Sequence, residues 1–312
     1  HMVHMLNDMN IKVTVIDNLS TGNPKYLPLN VELIQSNVGD EEKVYNVISE
    51  KKIDTVVHFA ASVVVPESVQ NPIKYYNNNT SETIKLIKTC IKAKIDKFIF
   101  SSTAAVYGNP KNHIVKESSE KLPESPYGMS KLISERIIED TFLKHSISYI
   151  VLRYFNVAGA DINGRTGQTN LPASHLIRVA CQVACEKRDF LPVFGNDYNT
   201  PDGTCIRDYI HVVDLIDAHI KAIYYLENGG VSGIFNCGYG QGFSVMEVIN
   251  AVKKVSGKNF KIKFENRRIG DPEKLIANNQ KIKNQLNWSP RYNDLNKIVN
   301  HAYRWESKLI DL

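Results

Sequence analysis

The sequence predicts an α/β fold built on a doubly wound parallel sheet, followed by a smaller C-terminal substrate domain. Three observations lead there. Short apolar strands alternate with helices through the first half of the chain, and small or polar residues collect where those strands end. One strand ends in three hydroxyl residues, and a helix soon after it opens on a Tyr-x3-Lys pair.

Taken in order, residues 2–10 read as the end of a helix and residues 11–16 as a strand closing on Asp17. In a dinucleotide-binding unit an acidic residue at the end of the second strand takes the ribose hydroxyls, about 20 residues after a glycine-rich turn. Counting back from Asp17 runs past His1, so the first strand and its phosphate-cradling glycines are expected to lie before residue 1. A strand can also end in Asp for turn chemistry alone. Residues 31–34, 55–61 and 97–100 read as further strands, residues 41–51 as a helix, and Asn78, Asn79 and Thr80 lead into another. Ligands bind at strand carboxyl ends in such sheets, where Asp17, Asn37, Ala60, Ala61 and residues 101–103 fall. Ala60 and Ala61 are small enough to admit a cofactor, and equally suited to tight packing.

Residues 98–100 are apolar, so a buried strand delivers Ser101, Ser102 and Thr103 at its end. Leu132, Ile133, Ile137, Ile138, Phe142 and Leu143 recur with a period near 3.6, which predicts a helix opening at Pro126. Tyr127 and Lys131, four residues apart, then share one face. An ammonium beside a phenol favours the phenolate, so Tyr127 is expected to ionise below the usual value of about 10 and to act as a general base. Tyr107 and Lys111 have the same spacing, but Gly108 and Pro110 break any helix there. Taken alone, the Tyr127–Lys131 pair also fits a half-buried tyrosine with a solvated lysine.

Composition sets bounds. With 312 residues, 43% hydrophobic and 23% charged, the chain suits one large or two modest domains. No apolar stretch nears the roughly 18 residues that span a bilayer and no signal peptide is visible, so no membrane partner is expected and the cytoplasm is the default location. A net charge of +5 carried by scattered lysines predicts solvated faces rather than a nucleic-acid surface. Cys90, Cys181, Cys185, Cys205 and Cys237 are odd in number and lack CxxC pairing, and the nine histidines show no HExxH spacing. Reduced thiols and no metal site are expected.

Asp17-Asn18-Leu19-Ser20-Thr21-Gly22, then residues 58–61, 101–108, 127–131 and 153–156, resemble in order the motifs of the extended short-chain dehydrogenase/reductase family, which is built on a Rossmann-type sheet. The resemblance continues through residues 194–198, 202–212 and 267–271, and so covers nearly the whole chain. The run ending at Val212 is specific to the branch that inverts C4 of UDP-sugars. That resemblance implies firmly held NAD and interconversion of UDP-galactose and UDP-glucose through a 4-keto sugar. Tyr127 would take the 4-hydroxyl proton as hydride leaves C4, and the keto sugar would swing about its pyrophosphate to receive the hydride on its other face. Lys131 would hold the cofactor ribose and, with the positive nicotinamide, lower the Tyr127 pKa. Thr103 would stand between Tyr127 and the sugar. Implied cofactor contacts are Asp17, Asn18, Asn37, Val38 and Phe59, then Ala60, Ala61, Asn79, Ser101 and Phe155 together with Tyr127 and Lys131. Dehydratases of the family place an Asp-Glu pair after the Ser/Thr, and related decarboxylases a glutamate. Here Ala104 and Ala105 stand in that turn, and a methyl group cannot shuttle a proton.

Asn156, Asn170, Leu171, Phe194, Arg207, Arg268 and Asp271 match family positions that hold UDP. Arginine forks suit a diphosphate; alternatively each arginine forms a structural ion pair with a neighbour such as Asp208 or Asp271. Leu275 resembles a size gate at which tyrosine favours UDP-glucose and UDP-galactose while smaller side chains admit N-acetylated sugars, so dual activity is expected, unless Leu275 simply packs. The NAD domain is expected over residues 1–156 and the UDP-sugar domain over 157–312, with parts near 214–237 returning to the first. The resemblance implies a homodimer, formed through the helices after Asn79 and Tyr127. Two other readings stay open: a net nucleotide-sugar oxidoreductase using NADPH, which Asp17 disfavours by repelling a 2′-phosphate, and, if the glycine loop is truly missing, a non-catalytic nucleotide-binding sensor, against which Thr103, Tyr127 and Lys131 together argue.

Overall fold

The computed structural model describes residues 1–170, 172–268 and 270–309. Helix α1 (Met2–Asp8) leads to β1 (Thr14–Asp17) and β2 (Glu32–Gln35), and α2 (Glu41–Lys51) carries the chain to β3 (Thr55–His58). Asp40 caps α2 by accepting from the Lys43 amide at 3.2 Å, and Lys52 ends it in the left-handed region at φ 53°. Then come α3 (Val65–Gln70), α4 (Pro72–Tyr75), a π-helical turn over Tyr76–Ser81 and α5 (Glu82–Ala93). Strand β4 (Lys97–Thr103) runs into a 3₁₀ turn (Ala104–Tyr107), β5 (Ile114–Val115) and α6 (Pro126–Phe142).

The second half contains β6 (Ser148–Tyr154), β7 (Asn156–Ala158), α7 (Leu176–Ala184), β8 (Leu191–Phe194), β9 (Ile206–His211) and α8 (Val212–Glu227). It continues with β10 (Gly233–Cys237), β11 (Gly242–Ser244), α9 (Val245–Ser256), β12 (Ile262–Glu265), β13 (Lys274–Ala277), α10 (Gln280–Leu286) and α11 (Leu295–Lys308).

The central sheet has the order β10-β6-β4-β3, every pair parallel, and β1 pairs with β2 in parallel. All four strand ends in the central sheet therefore open on the same side, as in other α/β sheets that bind ligand there. A second sheet runs β11-β9-β13-β5 with β7 against β9, and β8 pairs with β12. Side chains alternate across β4. Phe98 and Phe100 enter a core with Val44, Leu86, Ile138 and Phe142, while Ile99 joins Ile150, Leu152 and Phe235 on the other face. Burial on both faces is why these strands read as continuous apolar runs.

Three details depart from the sequence reading. Strand β3 stops at His58, leaving Phe59, Ala60 and Ala61 in the loop beyond it. The helix expected after Asn78 begins as the π-helical turn, so α5 proper starts at Glu82. Helix α6 buries Ser130, Lys131, Ser134, Glu135, Ile138 and Phe142, whereas Leu132, Ile133 and Ile137 are half-buried and Leu143 is 71% exposed. The face turned to the sheet is thus largely polar, because the end of β4 offers it hydroxyls and carbonyls. Among the described residues no helix is long and apolar enough to cross a membrane, and no group of three His, Cys, Asp or Glu side chains is placed to hold a metal ion.

Candidate active site

The site is built where α6 lies across the end of β4. Ser125 caps α6, its hydroxyl accepting from the Gly128 amide at 3.1 Å, and Pro126 occupies the first turn without a missing partner. Gly128 lets this end of the helix sit on the 3₁₀ turn, since a Cβ there would lie 2.7 Å from the Ala105 carbonyl oxygen. Thr103 accepts from the Ala105 amide at 3.1 Å, and its hydroxyl lies near enough to the Tyr127 phenol to act on it. Lys131 donates from Nζ to the Ser101 carbonyl at 2.8 Å and stands 4.7 Å from the centre of the Phe100 ring. Tyr75 packs edge-on against Tyr127, with ring centres 6.4 Å apart. The alternative pair falls away: Tyr107 ends the 3₁₀ turn, and Gly108 follows at φ 61°.

The electrostatics correct one expectation. Desolvation pushes the Tyr127 phenol above its ordinary value, and the Thr103 hydroxyl acts against it. Lys131 supplies no depression because its charge is turned to the Ser101 carbonyl and the Phe100 ring. Burial brings the Lys131 ammonium down to about 7, with Glu135 pulling the other way. His58, bonded to the Thr83 hydroxyl at 2.9 Å, is held neutral by burial and by Lys131, its pKa lowered to about 3.

On the cofactor side, Asp17 ends β1 and accepts from the Leu19 amide at 2.6 Å. The loop curls closely around this carboxylate, and a Cβ on Gly22 would lie 2.9 Å from Asp17 Oδ2. Asn18 and Asn37 accept from the Ser20 and Gly39 amides, so both side-chain oxygens shape turns. Val38 packs on the core beneath α2 and α5. Phe59 and Ala60 are exposed and Ala61 is half-buried at the open end of β3. Phe59 rests on His219 at 4.9 Å, and His219 in turn bonds the Tyr154 hydroxyl at 2.5 Å. Asn79 lies within the π-helical turn. It is 1% exposed and its amide is fully engaged, accepting from Ser62 N at 2.7 Å and donating to Ser62 O and Ser130 Oγ. Phe155 is buried with Ala104, Tyr107, Val115 and Leu275.

The second half supplies a shelf of arginines and aromatic rings. Arg268 lies 3.7 Å over the Phe194 ring and Arg267 lies 4.0 Å over Tyr198. Arg207 pairs with Asp271 at 2.7 Å, so the ion-pair alternative holds for Arg207 in this structure. Strand register sets Leu275 beside Arg207 and Asn156 beside Tyr209, gathering three predicted residues on adjacent strands. Asn170 lies before α7, its carbonyl taken by Arg178. Leu171 lies outside the described residues.

Sequence reasoning missed Arg267 with Tyr198, the Tyr154–His219 pair under Phe59, and the buried Glu135–Arg153 pair behind Lys131. A signal for the first was available: Arg267 and Arg268 are adjacent, and Phe194 and Tyr198 are four residues apart.

A family model described as GDP-mannose 4,6 dehydratase matches residues 1–301. A UDP-glucose 4-epimerase of Azospirillum brasilense is 47% identical over 309 residues, covering 99% of this chain and 89% of that protein. The structure of UDP-glucose 4-epimerase from Brucella ovis in complex with NAD superposes with a TM-score of 0.95 at 36% identity, covering 98% of this chain and 94% of that one. That of the UDP-Glc/GlcNAc 4-epimerase from Campylobacter jejuni gives 0.85 at 45% identity, covering 99% and 95%. The chain belongs to the UDP-glucose 4-epimerase family of extended short-chain dehydrogenases/reductases.

Proposed function

We propose that this chain is an NAD-dependent isomerase that interconverts UDP-galactose and UDP-glucose at C4. The observation that carries the reading is the Thr103–Tyr127–Lys131 cluster at the end of β4, followed by two methyl side chains at Ala104 and Ala105. Dehydration needs an acid and a base in that turn, and neither alanine supplies one.

The residues present fit a dinucleotide. Asp17 is acceptor-only and suits ribose hydroxyls, while exposed Ala60 leaves the end of β3 open to close approach. Asn18, Asn37, Val38, Phe59 and Ser101, with Lys131 and Phe155, would complete its seat. Asn79 would act from below, tying the loop at Ser62 to Ser130 of α6. Bound NAD would supply the hydride acceptor and donor for C4. Tyr127 removes the 4-hydroxyl proton and later restores it, and Thr103 holds that hydroxyl in line with the phenol. Lys131 would hold the cofactor ribose, a task its ammonium performs only below its own pKa. Arg207, Arg268 and Phe194 would seat the UDP, with Asp271 setting the Arg207 fork and Asn156 and Asn170 at the rim. Leu275, buried beside Phe155, would leave room for an N-acetyl group, giving activity on UDP-N-acetylglucosamine as well. The chain would pair with a second copy through α5 and α6, as light scattering of the purified protein would reveal.

A proton NMR time course on UDP-galactose, with and without added NAD, tests the reading. Conversion to UDP-glucose with no net cofactor reduction is expected; absence of conversion with NAD present overturns it. No turnover of UDP-N-acetylglucosamine by an enzyme active on UDP-galactose would remove the dual-substrate part alone.

A further inference from the structure

Three side chains one turn apart on α6 meet three consecutive residues of β4. Tyr127 faces the Thr103 hydroxyl, Lys131 bonds the Ser101 carbonyl, and Glu135 the Ser102 hydroxyl. The first two serve the chemistry proposed above, but Glu135 has no part in it. Its carboxylate accepts from Arg153 Nε at 3.0 and 3.2 Å and from Nη2 at 2.6 Å. Arg153 gives its other N–H groups to the Tyr107 hydroxyl at 2.8 Å and the Glu117 carbonyl at 3.2 Å, and Tyr107 donates onward to Asn236 at 2.7 Å. Glu135 and Arg153 are each 1% exposed.

A buried ion pair seldom stabilises a fold more than apolar packing of the same volume would, so stability alone is a poor account of this one. Its position suggests another. Glu135 stands at i+4 from Lys131, and Lys131 is at i+4 from Tyr127. His58 from β3 feels the Lys131 charge, Tyr75 from α4 and Tyr154 from β6 flank Tyr127, and Tyr107 and Glu117 surround Arg153 from β6. Glu135 acts to hold charge on Lys131, whereas burial acts against it.

We propose, resting on the reading above, that Glu135 is a positioning residue for the Tyr127–Lys131 pair: clamped by Ser102 and Arg153, it fixes the rotation of α6 on β4 and keeps Lys131 an ammonium. With its oxygens taken by Ser102 and Arg153, Glu135 would act only through Lys131.

The test combines the pH profile of kcat with a direct titration of Lys131, followed by carbon NMR on protein labelled at lysine Cε, with K131R to assign the signal. In E135Q, Lys131 is expected to lose its proton at least one pH unit lower, and the alkaline limb of kcat to move down with it. An unmoved titration overturns the proposal, even if kcat falls, since that fall would be merely structural. If E135Q does not fold, E135D decides. A tenfold lower kcat with a displaced Lys131 titration supports the proposal, and wild-type values for both overturn it. The Lys131 titration needs no turnover, so it judges Glu135 even if the wild-type chain leaves UDP-galactose untouched and the parent reading falls.

Discussion

The seam between α6 and β4 and the arginine shelf above Phe194 and Tyr198 solve the problem of placing charge in opposite ways. In the seam Lys131, Glu135 and Arg153 are buried, each is satisfied by named partners, and all sit on regular helix or strand. On the shelf Arg267 is about half exposed, and both Arg267 and Arg268 lie flat on aromatic rings beyond the strand ends. Water screens the shelf, so its contacts add affinity by small increments. The seam is dry, and there a single lost partner leaves a buried charge without compensation.

Removing the phenol is the strongest test of this contrast. Y127F should lower kcat by roughly 10²–10⁴ with little change in KM, the range for loss of a positioned general base; a fall of less than tenfold would mean that the seam does not carry the chemistry.

Acid should strike the buried side next. His58 and His211 are lowered to about 3 and His219 to about 4 by burial, so the stability they contribute is present above pH 6.5 and is lost as pH falls toward those values. Asp208 opposes them. Burial raises it to about 6 despite three backbone hydrogen bonds, so its contribution is present at low pH and is lost as pH rises through 6. Three groups against one leave a net loss of about 2–3 kcal/mol per pH unit near pH 5. Urea unfolding midpoints at pH 7.5 and 5 would register it, and a midpoint that rises at pH 5 would contradict it.

Shelf variants should behave otherwise. Arg207, 8% exposed and paired with Asp271, is the shelf's buried anchor, and R207M should raise KM for the UDP-sugar by roughly 10- to 100-fold, the worth of a charge-assisted contact, while kcat stays within about threefold; a collapse of kcat would place Arg207 with the seam. The smallest effect is expected at Gly195, where φ is 82° and a Cβ would fall 2.6 Å from the Tyr198 ring. G195A should cost about 1–2 kcal/mol in thermal unfolding and weaken UDP binding in calorimetry through Tyr198 and Arg267; unchanged binding would separate that stack from the site.

The two regions also differ in what the sequence discloses. The strands, α2 and the Thr103–Tyr127–Lys131 constellation were legible because apolar runs and i,i+4 spacing are local patterns. The buried face of α6 was not, since burial there follows the hydroxyls of β4 and ignores hydrophobicity: Leu143 is solvent-exposed while Lys131 and Glu135 are not. Nor were the partners of the Asn79 amide, Ser62 and Ser130, which lie 17 and 51 residues away. The direction of Lys131 was hidden for the same reason: spacing gives the face of a helix but not the carbonyl that captures the ammonium.

Strand β13 joins β9 on one side and β5 on the other, and so laces the segment just after the catalytic strand to the shelf. Under the proposed reading, the wall that receives the keto sugar is thus continuous in backbone hydrogen bonds with the strand that carries Arg207. On the same reading, the range of sugars then depends on side-chain bulk at Leu275 on that same strand, a dial that mutation can turn without touching the residues that move the proton.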